Sequence, residues 1–483
     1  VKLKSLIKEL GISLIKGSKD VDITGISADS RTVSPGNLFI AKKGSVFDGH
    51  QFVEKAVEAG AAAILTDMYD PSLKVTQLID SRPLTAPLAA RYYGEPSKQL
   101  FTVGVTGTKG KTTTTYLIKQ LLEPCGLIGT VETITGQNRF FSPLTTQDIL
   151  TNQKLLREMV LSGCRAAALE VSSHGLHQGR VEGIEFNIGL FTNLYPDHLD
   201  YHPSLQEYAA VKKTLLQQVK ECAIFNLDDP WSSFFRADCS VPQLTYAIEQ
   251  EADIQAKEIR LTPQGTDFIL SYRGQTHPFT TPLMGRFNIS NALGAIAVAL
   301  QRGQSLAQIS ASLSTFSSVP GRLQPVWPGM LPQVFVDFAH TGEALANVLK
   351  TLKEISRGKL LVVFGCGGDR DPQRRRAMAE AAEQYADQVV ITNDNPRKED
   401  PEAIVRQILA SFRDLQKVCV ELDRKKAIHL AIQMAGREDI VLIAGKGHER
   451  VQIFAHHTLP FEDASVAKEA LQILGHSAIL AHS

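Results

Sequence analysis

Thr106-Gly107-Thr108-Lys109-Gly110-Lys111-Thr112-Thr113 joins a strand-like run to a helix-like one. Upstream, Leu100-Phe101-Thr102-Val103-Gly104-Val105 is apolar and β-branched, the pattern of a buried strand. Downstream, Thr112 to Leu122 reads as the start of a helix despite the threonines at 112 to 115. Small residues and glycines let backbone N–H groups turn inward around an oxyanion. The helix N-terminus adds partial positive charge, Lys111 a full one, and Thr112 a hydroxyl suited to Mg²⁺. The stretch predicts a phosphate-binding loop. The general pattern asks for a glycine at 105, where this chain has valine, with glycines at 104 and 107 instead. A Gly/Thr-rich turn that binds nothing is the competing reading, but it leaves Lys111 without a role.

The 483 residues exceed what one hydrophobic core usually serves, so several domains are expected. Lys+Arg and Asp+Glu both number 51, so no global field recruits nucleic acid or anionic lipid. The local run Arg374-Arg375-Arg376 could hold an anion, although such runs are usually solvated helix faces. The six cysteines are scattered without C-x-x-C or metal spacing, which fits reduced thiols in the cytoplasm. Val1 to Leu10 carries lysines within its apolar pattern and is predicted to be an amphipathic helix rather than a signal peptide. No apolar run reaches membrane-spanning length.

Residues 1–98 alternate short strands and helices and end in a breaker-rich stretch from Pro83 to Pro96. The middle region, 99–322, continues as strand, loop and helix, with strands at Arg165 to Glu170, Ile188 to Asn193 and Cys222 to Asn226. Residues 253–280 read as antiparallel strands with a turn near Gly274. A fresh β/α series fills 323–483, with strands at Val334 to Asp337, Leu360 to Gly365, Val389 to Thr392 and Ile440 to Gly445. The expected fold is α/β in three domains, the central sheet mainly parallel and the last Rossmann-like and doubly wound.

Several strands end in polar residues, which is how open parallel sheets build sites. Glu170 is placed to hold Mg²⁺ beside a nucleotide, or is incidental to a helix capped by Ser172 or Ser173. Asp197-His198-Leu199-Asp200-Tyr201-His202 is either part of a metal site or a polar loop closed by His–Asp hydrogen bonds. Gly365-Cys366-Gly367-Gly368-Asp369-Arg370-Asp371 fails the dinucleotide pattern at Arg370. It suggests an anion clamp with Arg370 oriented by the flanking aspartates, against a surface ion-pair loop. Asp394-Asn395-Pro396-Arg397 and Gly445-Lys446-Gly447-His448-Glu449 follow strands of the same series. With Arg370 they offer carboxylate-binding and amine-binding groups, a mixture suited to a zwitterionic amino acid.

These motifs in this order resemble the Mur ligase family of peptidoglycan synthesis, over essentially the whole chain. Asp29-Ser30-Arg31, Thr145-Thr146, Gly285-x-x-Asn288-x-x-Asn291, Gly321-Arg322 and Asp337-x-Ala-His340-Thr341 complete the set. Within the family the likeness is to the member that adds the third residue of the stem peptide. The resemblance implies that 1–98 binds the UDP end of the substrate, 99–322 binds ATP, and 323–483 receives the amino acid. Ser30 would contact the UDP moiety, and Thr145, Thr146, Ser172, Gln178 and Arg180 the muramoyl-dipeptide. Gly107, Thr108, Lys109, Gly110, Lys111, Thr112 and Thr113 would hold ATP, joined by Asn288, Arg322, Asp337 and His340 across a domain cleft. Thr112, Glu170, His198 and Lys212 would serve two Mg²⁺ ions, Lys212 as a carbamate. That change would convert an ammonium into an oxygen ligand. Lys111, Lys212 and His198 would then be the catalytic set.

Arg370, Asp394, Asn395, Pro396, Arg397, Gly445 and Glu449 would bind the incoming amino acid. In the family an arginine at the position of Arg397 marks use of meso-diaminopimelate. The physics agrees, because Arg397 grips a distal carboxylate and repels the ammonium of lysine. The chain departs from the usual family pattern at Gln147, Phe338, Gly342 and Arg450. The implied reaction activates the D-glutamate carboxylate of UDP-N-acetylmuramoyl-L-alanyl-D-glutamate as an acyl phosphate, which the amine of diaminopimelate then attacks. Competing readings are a lysine-adding ligase, a folylpolyglutamate-synthetase-like ligase, a P-loop switch protein and an inactive scaffold. A monomer that binds no nucleic acid and enters no membrane is expected.

Overall fold

Buried parallel strands, covered by helices, organise each of the three regions. The computed structural model describes residues 1–41, 48–262, 264–326 and 332–480. They fall into two compact units, residues 1–246 with 294–302, and residues 247–293 with 303–483.

In the first unit a five-stranded sheet runs in the order Leu14–Lys16, Thr76–Ile79, Ala63–Thr66, Asn37–Ile40, Gly25–Ser27. All neighbours are parallel except the first pair. Strands Asn37–Ile40 and Ala63–Thr66 are buried at every position, as expected where both faces are covered. The N-terminal segment differs from the helix expected over Val1 to Leu10, because only Leu3–Leu6 is helical. The amides of Leu3 and Lys4 donate instead to Val21 and Lys19 carbonyls, and Glu9 takes a left-handed φ of 63°. Tertiary backbone bonds thus override the amphipathic pattern. Leu3 and Leu6 still pack into the core with Leu38, Leu65 and Leu88.

The same unit holds the phosphate-loop sheet. Its parallel strands lie in the order Gln243–Ala247, Cys222–Asn226, Ile188–Phe191, Phe101–Thr106, Ala166–Glu170, Cys125–Ile128. The antiparallel strands Glu132–Thr135 and Asn138–Phe141 follow. Phe101–Thr106 is flanked by strands from later in the chain on both sides. Its carboxyl end is therefore a topological switch point, where open α/β sheets bind ligands. Helix Lys111–Leu121 begins there.

The second unit contains the expected antiparallel meander, Ile254–Thr262, Gly265–Tyr272 and Gln275–Thr281. Its six-stranded sheet runs Gln324–Val326, Gln333–Asp337, Ile440–Ala444, Leu360–Phe364, Gln388–Ile391, Val418–Val420. All but the first pair are parallel. Two apolar layers sandwich it, one built on Leu349, Leu352 and Ala382, the other on Ile428, Ala431 and Ala467. The loops after residues 337, 364, 391 and 444 all leave the carboxyl edge of this sheet. Among the described residues no helix is long and apolar enough to cross a membrane.

Candidate active site

The phosphate loop is shaped by the end of its neighbouring strand. Thr108 N donates to Asn193 O at 2.9 Å and Lys109 N to Asn193 Oδ1 at 2.8 Å. Thr192 Oγ1 donates to Lys109 O at 2.7 Å. Gly107 has a φ of 149°, and a Cβ there would overlap the Thr192 hydroxyl, so only glycine lets the loop lie this close. Gly110, at φ 84°, turns the chain into the helix. Lys111, Thr112 and Thr113 then supply the first helical amides, which a helix leaves without internal acceptors. Lys111 Nζ donates to the carbonyls of Gly107 and Thr108 at 2.8 and 3.0 Å. Thr192 and Asn193 read in the sequence only as the polar end of a strand.

Glu170 lies at the carboxyl end of the adjacent strand, buried, and collects hydroxyl and amide donors. Thr112 Oγ1 donates to Oε2 at 3.0 Å, Thr130 N to Oε1 at 2.8 Å and Thr130 Oγ1 to Oε2 at 3.0 Å. A Cβ at Gly129 would overlap Oε1, so that glycine admits the carboxylate. Thr112 and Glu170, expected to act together, are in contact, and Thr130 is an addition.

Lys212 is buried in helix Leu205–Gln217, with Nζ donating to Gly107 O at 2.9 Å and lying 4.5 Å from the Tyr208 ring centroid. Burial, then the nearby Lys111 charge, push its amine well below the usual lysine range. This fits the carbamate reading, because the uncharged amine is the form that adds CO₂ and loses a proton. Adjacent Lys213 pairs with Asp238 at 3.3 Å and faces the Phe234 ring, which distinguishes the two lysines.

In the 197–202 loop Asp197 is met by the His198 backbone amide rather than by its ring. His198 N donates to Asp197 Oδ1 at 3.0 Å, and His198 Nε2 lies 4.0 Å from Asp197 Oδ2. Burial lowers the pKa of His198 despite Asp197, leaving an imidazole nitrogen lone pair near neutral pH. Burial opposes ionisation of Asp197, but Lys109 and His198 outweigh it and keep the carboxyl below its usual range. The donor set of Thr112 and Glu170 is hard oxygen and fits Mg²⁺. Unmodified Lys212 offers either an ammonium or an amine nitrogen, neither suited to a hard cation, whereas a carbamate would supply oxygen.

Thr146 Oγ1 donates to Glu170 O at 2.8 Å and accepts from Ser172 N at 3.0 Å. Thr145 Oγ1 lies 3.1 Å from Thr130 Oγ1, whose proton goes to Glu170. Ser172 caps helix Ser173–His177 by accepting Gly175 N, as the capping reading expected. Arg180 Nη1 donates to Thr146 O at 2.9 Å, and Arg180 Nε to Gln178 Oε1 at 3.0 Å. The five muramoyl-dipeptide candidates therefore form one network around Glu170. Ser30 is buried in the first unit at the start of a short helix capped by Asp29. Hydrogen bonds from Arg31 hold Asp29 at about 2. Gln147, in place of the family's usual proline, donates from Nε2 to Leu144 O at 2.6 Å and secures the turn by a different bond.

In the second unit, Asp337 accepts Leu323 N at 2.6 Å and Ala339 N at 2.8 Å, joining the segments that carry Arg322 and His340. The Arg322 guanidinium lies 4.8 Å from the Phe338 centroid, and the tilted rings of His340 and His448 lie 4.6 and 5.0 Å from it. Phe338 thus keeps the aromatic surface. Asn288 Nδ2 donates to Met284 O at 2.9 Å and its Oδ1 accepts Asn291 Nδ2 at 3.2 Å.

The amino-acid candidates meet at the carboxyl edge of the six-stranded sheet. Lys446, fully buried, donates from Nζ to Asn395 Oδ1 and to Glu449 Oε2, each at 2.8 Å. Asn395 Nδ2 donates to the same Glu449 oxygen at 2.8 Å, and Asn395 Oδ1 also accepts Ile453 N at 3.0 Å. Burial disfavours the Glu449 carboxylate, but Lys446 and Asn395 outweigh it and hold it ionised. Asn395 is thereby a positioning residue, and Glu449 Oε1 stays available to an amine. Asp394 is pushed up by burial, against the opposing pull of Lys446 and Arg424. Arg424 forms a fully buried pair with Asp463 and donates to the carbonyls of Asn393 and Ala444, which precede the two motif loops. Arg397 takes a φ of 53° and donates from Nη1 to Gly368 O at 2.8 Å.

Two expectations are corrected here. The aspartates beside Arg370 do not orient it: Asp369 Oδ2 accepts Lys398 N at 3.5 Å and Asp371 Oδ1 accepts Gln373 N at 3.0 Å. Short carboxylates next to a turn find backbone amides first. Within Arg374-Arg375-Arg376, Arg375 is buried and paired with Glu399 at 2.8 Å, neither a solvated face nor an open anion site. Lys446 and Arg375 carried no signal of burial in the sequence, nor Glu399 any signal of its pairing.

Three family models match the chain: "Mur ligase family, catalytic domain" over residues 22–81, "Mur ligase middle domain" over 105–299, and "Mur ligase, glutamate ligase domain" over 321–447. The UDP-N-acetylmuramoyl-L-alanyl-D-glutamate--2,6-diaminopimelate ligase of Chlamydia felis is 44% identical over 483 residues, covering 97% of this chain and 99% of that protein. The ligase of the same name from Geobacillus thermodenitrificans is 41% identical over 486 residues, covering 98% and 99%. A solved structure of a ligase with this name superposes with a TM-score of 0.74 at 31% identity, covering 99% of both chains. A Mycobacterium tuberculosis folylpolyglutamate synthase with ADP shares the fold, with a TM-score of 0.61 at 16% identity over 80% of this chain and 93% of that one. Matches along the whole chain, in the same order as the motifs and at this identity, show that it belongs to the Mur ligase family.

Proposed function

We infer that the chain is an ATP-dependent ligase joining meso-diaminopimelate to the D-glutamate carboxylate of UDP-N-acetylmuramoyl-L-alanyl-D-glutamate, in peptidoglycan precursor synthesis. The names of the full-length relatives support this substrate pair. The observation that carries the choice of amino acid is Arg397, two residues after the Asn395 whose amide holds Glu449, a cation for a distal carboxylate on the same loop that positions an acceptor for an amine. Lysine, the alternative acceptor, would bring an ammonium to Arg397. The likeness to folylpolyglutamate synthase concerns the fold alone. We assign residues 1–98 to the UDP end, 99–322 to ATP and 323–483 to the amino acid.

In this reading the loop amides of Lys111 to Thr113 and the Lys111 ammonium hold the nucleotide phosphates. Arg322, Asp337, His340 and Asn288 contribute to nucleotide binding. Thr112, Glu170, His198 and a carbamylated Lys212 would hold Mg²⁺, which would supply charge screening for the phosphates. The D-glutamate carboxylate attacks the γ-phosphorus, ADP leaves, and an acyl phosphate forms on the substrate. Lys111 stabilises the charge that develops on the transferred group. The amine of diaminopimelate then adds to the acyl carbon, phosphate leaves, and the amine gives up a proton. Arg370 and Arg397 grip the distal carboxylate and Glu449 the distal amine. Six free thiols among the described residues fit a reducing cytoplasm, where we place the enzyme as a monomer.

Phosphate release tests the reading. It should require ATP, the UDP-dipeptide and diaminopimelate together. Release without the UDP-dipeptide, or without any amino acid, would contradict it.

A further inference from the structure

Arg370 and Arg397 lie on different loops, so their spacing must be set by whatever joins those loops. Gly368 N donates to Asn395 O at 2.9 Å, and a Cβ at Gly368 would overlap Pro396 O, so the two backbones are in direct contact. Beside this contact sits one carboxylate, Glu399. Its Oε1 accepts Asp369 N at 2.6 Å, the amide immediately before Arg370. The same carboxylate accepts Arg375 Nη2 with both oxygens, at 2.9 and 2.8 Å. Arg375 is buried, and its Nη1 donates to Gln407 Oε1 at 2.6 Å on helix Pro401–Leu409. Glu399 belongs to the loop that follows Arg397, and Arg375 to the helix that follows Arg370. Glu399 therefore ties the loop that carries Arg397 both to the loop that carries Arg370, through Asp369 N, and to the start of the helix that follows it, through Arg375. A lysine at 375 could not supply the same planar fork.

We propose that Arg375 and Glu399 are a positioning pair that sets the separation of Arg370 and Arg397, and thereby selects an amino acid bearing a second carboxylate. The proposal rests on the diaminopimelate reading above. Neither residue touches substrate in this account; both act through the two arginines. A carboxylate gripped from two sides loses most of its affinity when one side moves, whereas lysine, which has no distal carboxylate, is indifferent to that spacing.

The test is steady-state kinetics on the full chain with Glu399→Gln, which keeps shape but not charge, and Arg375→Lys, which keeps charge but not the fork. Thermal unfolding checks that each variant is folded, and either folded variant suffices. The KM for diaminopimelate should rise about tenfold, and the diaminopimelate-to-lysine ratio of kcat/KM should fall by about the same factor. The KM values for ATP and the UDP-dipeptide should stay within about twofold. In an Arg397→Ala background the same substitution should add less than about twofold, because the spacing then no longer matters. Equal rises for ATP and diaminopimelate would mean general loosening and overturn the proposal. An unchanged diaminopimelate KM in Glu399→Gln, with a raised one in Arg397→Ala, would overturn the proposal and leave the diaminopimelate reading standing. An unchanged KM in Arg397→Ala would remove that reading and the proposal with it.

Discussion

The candidate phosphate loop and the proposed amino-acid site are built in opposite ways. The loop is contiguous in sequence, from Thr106 to Thr113, and presents mainly backbone amides, with glycines at 107 and 110 permitting its path. The pocket gathers side chains from loops near residues 368, 396 and 447, held by buried ions such as Lys446, Arg375 and Arg424. A triphosphate is bound alike by many proteins, and a backbone nest serves it. A particular amino acid must be told from its analogues, and that needs charged groups at fixed separations.

Substitutions can break or sharpen this contrast. The largest effect is expected at Lys111, the lysine proposed to stabilise the transferred phosphoryl group: Lys111→Ala should lower kcat by at least about 10³ with little change in unfolding midpoint. Near-normal turnover would mean that the backbone suffices and the loop has been misread. Lys446→Met should act the other way, chiefly on stability. It leaves Glu449 without its cation, and urea unfolding should show a loss of about 2–3 kcal/mol, below the range for fully buried pairs because Glu449 is 32% exposed. A stability loss under about 0.5 kcal/mol would deny that buried ions hold the pocket.

Arg397→Ala should raise the diaminopimelate KM about tenfold or more and leave that for ATP nearly unchanged. Equal effects would erase the division of labour between the two regions. The smallest effect concerns pH. Burial, then Arg322, lowers the His448 pKa to about 4 from its ordinary 6.5. Above 6.5 both folded and unfolded chains carry it neutral. Between 6.5 and 4 the unfolded chain binds a proton that the folded one refuses, so acid destabilises the fold. His448→Leu should therefore reduce the stability lost between pH 7 and 5 by about 1 kcal/mol, discounted for the ring's partial exposure. An unchanged slope would mean that His448 is not held neutral by its surroundings.

How much was legible follows from the same contrast. The loop, the strands ending at Glu170 and Asp337, and the antiparallel meander could be read because each depends on local periodicity and turn residues. Arg397 and Glu449 could be placed at one sheet edge because both follow strands of one β/α series. Their supports could not be read. Nothing local distinguishes buried Arg375 from exposed Arg376 one residue later, or predicts that Asn395 spends its amide on Lys446 and Glu449. The short N-terminal helix failed for a related reason, since bonds to Val21 and Lys19 come from segments that periodicity does not see.

The most direct test of the central claim, that one region drives phosphoryl chemistry while the other selects the amino acid, is phosphate release by the unmodified chain with ATP and the UDP-dipeptide, diaminopimelate compared with lysine. The account predicts a kcat/KM ratio of at least about 10³ in favour of diaminopimelate, the discrimination expected of a site built around polar groups that the wrong substrate leaves unpaired. Equal ratios for the two amino acids would contradict it.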